Sequence, residues 1–337
     1  MDFMDHEVEE VEVKDIEQQP AQEVSETSEM RDAPNIWKWV AIGFFGIFLF
    51  TRIFDVNISF KPEFGGRAFL GGSIVKNQNK DQNVGASDIE KAVLPKDGIA
   101  LPIRWGNLGR QMADTGVIDS KKFEELYESR GGFNDEMRKM LYEDGNDTIV
   151  MTEDNAPYLL NLLWAFGLGN KNVVLERGPI SDPQYGGAGG FAATGGWTLA
   201  EGNPMNHFNA HEFVRLSPDQ QALVERVAKN IYRPCCGNST YFPDCNHGMA
   251  MLGLLELMAA NGVSEGDMYK VALQVNAYWF PDTYLTIAKV IQDGGGDWNA
   301  VDPKAILGAE YSSAQGFQRI RQKVAPEQPR GGGGCGA

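Results

Sequence analysis

A long apolar run near the start of the chain constrains its fold most strongly. Residues 36–54 read "IWKWVAIGFFGIFLFTRIF", with no charge between Trp39 and Thr51. A helix that crosses a bilayer needs roughly 17–25 such residues. Lys38 and Arg52 lie near the two ends, where their ammonium and guanidinium groups can reach the membrane interfaces. The run therefore predicts a single transmembrane helix over residues 36–54, with membrane lipid as its partner. A buried core helix is the alternative.

An acidic segment precedes this run. Residues 1–35 contain twelve Asp or Glu residues against Lys14 and Arg31, a net of −10 out of −16 for the whole chain. Because so few large apolar residues accompany these charges, the segment predicts a disordered acidic tail. It is also the opposite of the basic start of a signal peptide. The net negative charge gives nucleic-acid binding no electrostatic support.

The rest of the chain predicts a soluble domain between two flexible segments. Residues 55–85 are rich in Gly, Asn and Gln and predict a flexible connector, and residues 326–337 predict a flexible Gly-rich tail ending in a cysteine. Residues 86–325 predict the folded domain. A single early anchor followed by a large domain favours a cytoplasmic N-terminus, so we expect this domain to be extracytoplasmic.

Helix signals recur along residues 86–325. Apolar residues repeat at helical spacing, and strand signals are scarce, with "DTIVMT" at most a lone strand or an extended link. Helix-capping residues are predicted at Asp119, Thr152, Ser217, Ser264 and Asp282. These features predict a mostly α fold, in which an all-α domain resembling an orthogonal helix bundle follows the transmembrane helix.

Long glycine-rich loops are predicted between the helices. Residues 185–204, "YGGAGGFAATGGWTLAEGNP", lack the G-x-x-x-x-G-K-[ST] pattern of a phosphate-binding loop and follow no strand pattern. The segment therefore predicts a long surface loop rather than a nucleotide site. The aromatic segment 278–284, "YWFPDTY", favours a helix end packed under a proline over a pocket lining.

Cysteine and histidine residues cluster in one short part of the domain. Residues 207–247 hold six of the eight Cys and His residues of the chain, and three of these cysteines fall in "RPCCGNSTYFPDCNHG". Sulfur and imidazole donors suit a transition metal ion such as zinc, copper or iron. The candidate ligands are Cys235, Cys236, Cys245 and His247. His207 and His211 are predicted as further ligands, if their segment is helical, or as residues that contact the ligands, and Cys335 is one more candidate.

The identity of the ion is less constrained than the site. The spacing matches no zinc-finger pattern, and Met205, Met249 and Met251 favour copper slightly. Methionine on a helix is more typical of a core, however. Together with the apolar run 36–54, the cluster predicts a membrane-anchored protein that binds a transition metal. Its predicted function is metal transfer or electron transfer at the membrane surface. It names no reaction and no protein partner.

Two other interpretations of the cysteines stay open. In the first, Cys235 or Cys236 pairs with Cys245 and the other with Cys335, giving a disulfide-stabilised extracytoplasmic binding or scaffold domain. Adjacent cysteines such as Cys235 and Cys236 seldom pair with each other. In the second, the protein carries out thiol-redox chemistry, and the glycine arm "GGGGCGA" brings Cys335 to the site.

Overall fold

The computed structural model describes residues 88–145 and 148–324. This region is mostly helical, as the sequence predicts. The predicted acidic tail, transmembrane helix 36–54, connector 55–85 and tail 326–337 lie outside the described residues. Over the two described ranges, no helix has both the length and the apolar character needed to cross a bilayer.

Helices account for most of the described chain. Residues 88–93 are helical, and the longer elements that follow are α1 (Leu108–Asp114), α2 (Ser120–Ser129), α3 (Asp135–Tyr142), α4 (Ala156–Gly169), α5 (Val173–Arg177), α6 (Pro218–Ala228), α7 (Asn246–Ala260), α8 (Glu265–Trp279), α9 (Pro281–Asp293), α10 (Pro303–Leu307), α11 (Ala309–Ser312) and α12 (Ala314–Arg321). Two short strands, β1 (Ile99–Leu101) and β2 (Ile149–Met151), form an antiparallel pair with Ile99 opposite Met151. The Ile149–Met151 part of the "DTIVMT" segment is thus a strand with a partner, which the sequence did not reveal.

Most of the predicted helix caps are confirmed. The Asp119 side chain accepts a hydrogen bond from the Lys122 amide, Ser217 forms a full capping box with Gln220, and Ser264 caps α8. Two predicted caps, Thr152 and Asp282, are wrong by a few residues. Helix α4 begins after Asn155, whose backbone amide donates to the Thr152 hydroxyl oxygen upstream of the helix.

Helix α9 is the second exception. Its N-cap is Phe280, and Pro281 occupies the first helical position, which places Asp282 inside the first turn. Proline fits that position because its missing amide hydrogen would have had no partner there. Helices α8 and α9 are therefore joined directly at Phe280, with no loop between them.

Helices α4 and α7 form the centre of the domain, and both are almost completely buried. They cross at Gly167 and Gly253, where the two backbones touch. A Cβ atom added to Gly253 would lie 2.6 Å from the Leu163 carbonyl oxygen. Because neither backbone can move away without opening the core, this crossing fixes the position of α7 and of the residues at its start.

We expect Gly253→Ala to lower the free energy of unfolding by about 1–3 kcal/mol, since the added methyl group overpacks the crossing. The matched control is Gly266→Ala in α8, where an added Cβ has no atom within 4 Å. Alanine is the better helix former, so the control gains about 0.5–1 kcal/mol or stays unchanged. Chemical denaturation of the two full-length variants measures both values. Equal effects would contradict the close crossing.

The glycine-rich segment 185–204 is partly a core element, which corrects its prediction as a surface loop. Trp197 is fully buried, its Nε1 donates to the Val117 carbonyl at 2.7 Å, and its ring centroid lies 4.7 Å from that of Trp164. The amide of Ala193 also donates to the carbonyl of Asp244 at 3.2 Å. The segment therefore supports the chain just before Cys245.

Glu256 lies in the apolar middle of α7 and is fully buried. Its Oε2 accepts a hydrogen bond from Asn170 Nδ2 at 2.6 Å, whereas no described residue donates to Oε1. Burial raises the pKa of Glu256 from 4.5 to about 8. The carboxyl group is thus held in its neutral form at neutral pH, because an unpaired charge in this position is costly.

A pH dependence of stability follows from Glu256. Between pH 5 and pH 8 the folded chain keeps a proton that the unfolded chain releases, so the free energy of unfolding falls as the pH rises. The contribution of one group is about 1.4 kcal/mol per pH unit at most. Glu256→Gln should remove this slope and leave the other titrations unchanged. Denaturation of metal-free protein at several pH values measures it, and parallel curves for the two proteins would contradict the buried neutral carboxyl.

Candidate metal centre

Cys245 is the N-cap of helix α7, and its sulfur accepts hydrogen bonds from two sides. The Gly248 amide donates to Sγ at 3.4 Å, and Arg233 Nε donates at 3.0 Å. The first contact follows from the unpaired amides at a helix start, which favour a negatively charged acceptor. Cys245 therefore sits where a thiolate is stabilised.

The three described cysteines bring their sulfur atoms together at this helix end. The Sγ atom of Cys245 lies 3.4 Å from that of Cys235 and 3.8 Å from that of Cys236, and the last two are 3.9 Å apart. Ligands at a zinc–sulfur distance of about 2.3 Å in a tetrahedron are about 3.8 Å from each other. The sulfur triangle thus has the dimensions of one face of a tetrahedral thiolate site.

Arg233 supports the triangle from inside the protein, and its side chain is buried. Besides its bond to Cys245, the guanidinium donates to the Asn238 carbonyl at 3.0 Å, to the Phe242 carbonyl at 3.0 Å and to the Asp244 carboxylate. Residues 233–245 therefore surround the guanidinium group of Arg233 and are held together by it. The backbone of Gly248 passes so close to this guanidinium that any side chain at 248 would collide with it.

The three thiols have different acidities. Hydrogen bonds from Cys235 and Cys236, with the charge of Arg233, outweigh burial and hold the pKa of Cys245 well below its usual range. Hydrogen bonds with Cys236 and Cys245, together with desolvation, raise the pKa of Cys235. The surroundings therefore favour the thiolate form at Cys245 over that at Cys235, and a metal ion that binds at this corner displaces thiol protons.

His247 adds an imidazole to the same corner. It is buried on the first turn of α7, with its ring centroid 4.4 Å from that of Phe280. Burial lowers the pKa of His247 to about 4, so the ring is neutral at neutral pH. Its Nδ1 lies 2.9 Å from the Asn246 side-chain oxygen. Because that oxygen can only accept, Nδ1 carries the proton and Nε2 keeps its lone pair for a ligand role.

Cys235, Cys245 and His247 form a group that could hold a metal ion, since their ligand atoms all lie within 4.8 Å of one another. A second such group joins Cys236 and Cys245 to Asp244. The Asp244 carboxylate is already bonded to Arg233 and, at 2.7 Å, to Asn238 Nδ2. The first group is therefore the better candidate, and Cys236 belongs only to the second.

His207 and His211 meet each other but belong to neither group. The sequence predicted them as ligands on the condition that their segment is helical, and it is not. A 3-10 turn at Pro204–Asn206 is followed by an irregular loop. His207 Nδ1 lies 3.2 Å from His211 Nε2, and the other His207 nitrogen contacts the Glu201 carbonyl at 3.1 Å. Both histidines thus have polar partners of their own, and their role as ligands stays a prediction.

The remaining sulfur-containing residues that the sequence singled out fall in four places, and Met205 is half-buried in the 3-10 turn Pro204–Asn206. Cys235, Cys236 and Cys245 are free thiols in the structure. Cys335 lies outside the described residues, so the disulfide pairings that include it stay a prediction. Met249 and Met251 are buried in the hydrophobic core, which accounts for them without a ligand role.

A cavity opens beside the sulfur triangle and was not anticipated from the sequence. It measures about 420 Å³ and is bordered by Cys235, Phe280, Phe317 and Arg321, among others. Phe280 is the residue that also packs on His247. The aromatic segment 278–284 therefore serves both interpretations, since it ends a helix and lines a pocket.

The chain matches no family model, no curated protein and no solved structure.

Proposed function

We propose that this chain is a membrane-anchored protein that binds one transition metal ion through Cys235, Cys245 and His247, with Cys236 as a fourth donor. The observation that carries the proposal is the sulfur triangle at the start of α7, with edges of 3.4, 3.8 and 3.9 Å. A hydrogen-bonded histidine and a buried cation supply the outer contacts that metal ligands usually have.

Zinc is the ion that the donor set supports best. Three thiolates and one imidazole form a common tetrahedral zinc site, and the triangle has the matching edge lengths. The argument for copper rested on Met205, Met249 and Met251, and the core now accounts for Met249 and Met251. Copper(I) and iron remain the alternatives because both accept sulfur and imidazole ligands.

Metal transfer is the use that the position of the site favours. Cys235 is exposed and Cys236 partly exposed, whereas His247 is buried. An ion held between these residues has one side toward the protein and the other toward the cavity, where a partner's ligands could replace the exposed thiols. A transmembrane helix over residues 36–54 would keep this exchange at the membrane surface, in an extracytoplasmic domain.

Titration of the reduced, metal-free, full-length protein with Co²⁺ tests the proposal, with Zn²⁺ as the competitor. We expect saturation at about one equivalent, with the absorption of tetrahedral cobalt and a strong sulfur-to-cobalt charge-transfer band that Zn²⁺ removes. Parallel titrations with Cu(I) and Fe²⁺ identify the preferred ion. Absence of a charge-transfer band with all three thiols reduced would overturn the proposal.

A dithiol oxidoreductase is the second candidate function, favoured by the separation of 3.4 Å between Cys235 and Cys245. The Cys245 thiolate would attack a substrate disulfide and release one thiolate from it. Attack by Cys235 on the mixed disulfide would then release the second, leaving the substrate reduced and a Cys235–Cys245 disulfide. Rapid, reversible disulfide exchange in protein that binds no metal would favour this function.

A further inference from the structure

The cavity beside Cys235 is bordered by one face of helix α12. Four residues of this helix line it at the spacing i, i+3, i+4 and i+7, namely Ala314, Phe317, Gln318 and Arg321. Residues at this spacing share a helix face. The other lining residues are Pro234 and Cys235 of the cysteine segment and Phe280 and Thr283 at the start of α9. The cavity is thus a space between three packed elements.

Hydrogen bonds hold these elements together around the cavity. The amide of Ala314, the first residue of α12, donates to the Cys236 carbonyl at 3.0 Å. The Tyr284 hydroxyl on α9 lies 2.8 Å from Oγ of Ser312, two residues before α12. Both contacts fix helix positions relative to the cysteine segment, so the cavity is formed before anything binds in it.

The lining combines apolar rings with polar groups that lack partners. Phe280 and Phe317 supply the rings, and Arg321 is the only charged residue among the described residues that border the cavity. Thr283 is 8% exposed. Among the described residues, neither the Thr283 hydroxyl nor the Arg321 guanidinium has a hydrogen-bond or ion-pair partner. These groups suit a ligand that carries a negative charge.

The size of the cavity suits a small molecule. Its volume of about 420 Å³ lies at the lower end of the range of about 300–1,000 Å³ that small-molecule sites occupy. A charged group that enters this space meets Arg321, since arginine pairs with carboxylates through two parallel hydrogen bonds. A small carboxylate is therefore the anion that the lining fits.

The cysteine end of the cavity requires a second group on the same ligand. Cys235 borders the cavity and is a proposed metal ligand, so a molecule that replaces it on the ion must bring a donor such as a thiolate. Arg321 lies seven residues after Ala314, about 10 Å along the helix axis, and helical side chains lean back toward the helix start. A thiol and a carboxylate joined by a short carbon chain match this separation.

We propose that the cavity binds a small thiol that carries a carboxylate, with its carboxylate on Arg321 and its sulfur on the metal ion in place of Cys235. The inference rests on the metal site proposed above. The bond from the ion to the Cys235 sulfur breaks as the bond to the incoming sulfur forms, and the proton of the incoming thiol passes to Cys235. Nothing is oxidised or reduced. The small thiol is thus the acceptor through which the ion leaves.

Transfer of Zn²⁺ from the loaded full-length protein to a zinc-binding dye tests the cavity. The probes are 3-mercaptopropionate and its uncharged amide, 3-mercaptopropionamide. We expect both to accelerate transfer with saturation, and the carboxylate to reach half-saturation at about a fivefold lower concentration because it pairs with Arg321. A negative charge makes its thiol less acidic than that of the amide, so thiol acidity cannot produce this preference. Propionate, which has no sulfur, should not accelerate transfer.

Two arginine variants locate the carboxylate. Arg321→Gln should remove the preference for the charged probe. Arg319→Gln is the matched control, because Arg319 is exposed on the same helix but does not border the cavity. We expect this variant to keep the preference of the unaltered protein.

The possible results separate the cavity from the metal site. Equal half-saturation by the two probes, or a preference that survives in Arg321→Gln, would overturn the thiol cavity while the metal site stands. Acceleration that rises linearly with thiol concentration would show exchange without a binding site, and this also overturns the cavity. A protein that retains no Zn²⁺ before any probe is added would remove the metal site itself, and the cavity proposal with it.

Discussion

Replacing Cys245 with serine should lower the Zn²⁺ affinity of the full-length protein by about 10²–10³-fold while the metal-free protein stays folded. The size of the loss follows from the share of one ligand in a four-ligand zinc site, whose total binding free energy is about 10–16 kcal/mol. Cys245 is the ligand residue whose sulfur is in hydrogen-bond contact with the sulfurs of both Cys235 and Cys236. Its loss therefore removes the centre of the site.

The fold should survive this change because serine can perform the structural tasks of Cys245. A serine hydroxyl at the N-cap accepts the Gly248 amide at least as well as sulfur does. Arg233 keeps its bonds to Asn238, Phe242 and Asp244. Competition with a zinc-binding dye measures the affinity, and thermal unfolding without metal measures the fold.

His211→Gln is the matched control for Cys245→Ser. It removes one of the clustered histidines that belongs to neither ligand group. We expect its Zn²⁺ affinity to equal that of the unaltered protein. An unchanged affinity in Cys245→Ser, or a large loss in His211→Gln, would place the ion somewhere other than the start of α7.

Removal of Arg233 should be the most destabilising change near the site. We expect Arg233→Ala to lower the free energy of unfolding of the metal-free protein by about 3–5 kcal/mol, as breaking a buried ion pair from one side typically does. The substitution removes the guanidinium from the Asp244 carboxylate and from two backbone carbonyls. Arg233→Lys should recover little of this loss, because one ammonium group cannot reach four separate acceptors.

Arg226→Ala provides the control for Arg233→Ala. Arg226 pairs with Glu265 at 2.8 Å on the surface, and about half of its side chain is exposed. Exposed ion pairs contribute about 1 kcal/mol or less, so the control should change the unfolding free energy very little. Chemical denaturation compares the two variants. Similar small losses in both would contradict the role of Arg233 as the buried support of the cysteine segment.

Local signals in the sequence predicted much of the fold. Caps such as Asp119 and Ser217 act through residues three positions away, so their pattern is readable without the tertiary structure. Short strands are harder, because the pairing of Ile99–Leu101 with Ile149–Met151 depends on contacts far apart in the sequence. Three residues carry too little alternation to predict a strand.

The candidate site was predicted only in part, and the reason lies in long-range packing. Clustering of the cysteines and His247 was visible in the sequence, but the burial of Arg233 was not. That burial depends on the absence of a side chain at Gly248, and on the close crossing of α7 with α4. Neither condition leaves a pattern around residue 233.

For the loop histidines His207 and His211, a pattern was visible in the sequence but indicated the wrong local structure. Their spacing of four residues matches a helix face, but the backbone turns at Asn209, which has a φ of 54° in the left-handed region. Asparagine tolerates this conformation better than most residues, although it does not require it. The sequence alone therefore could not distinguish a helix from the turn that brings His207 and His211 together.

The most direct test of the metal site is elemental analysis of the full-length protein, purified without added metal or chelator, together with a count of free thiols in denaturant. We predict about one equivalent of zinc per chain. Cys235, Cys236 and Cys245 should all become reactive as thiols once the ion is released. Protein that contains no transition metal and no free thiols in this group would contradict the metal site and would instead support a domain held together by disulfides.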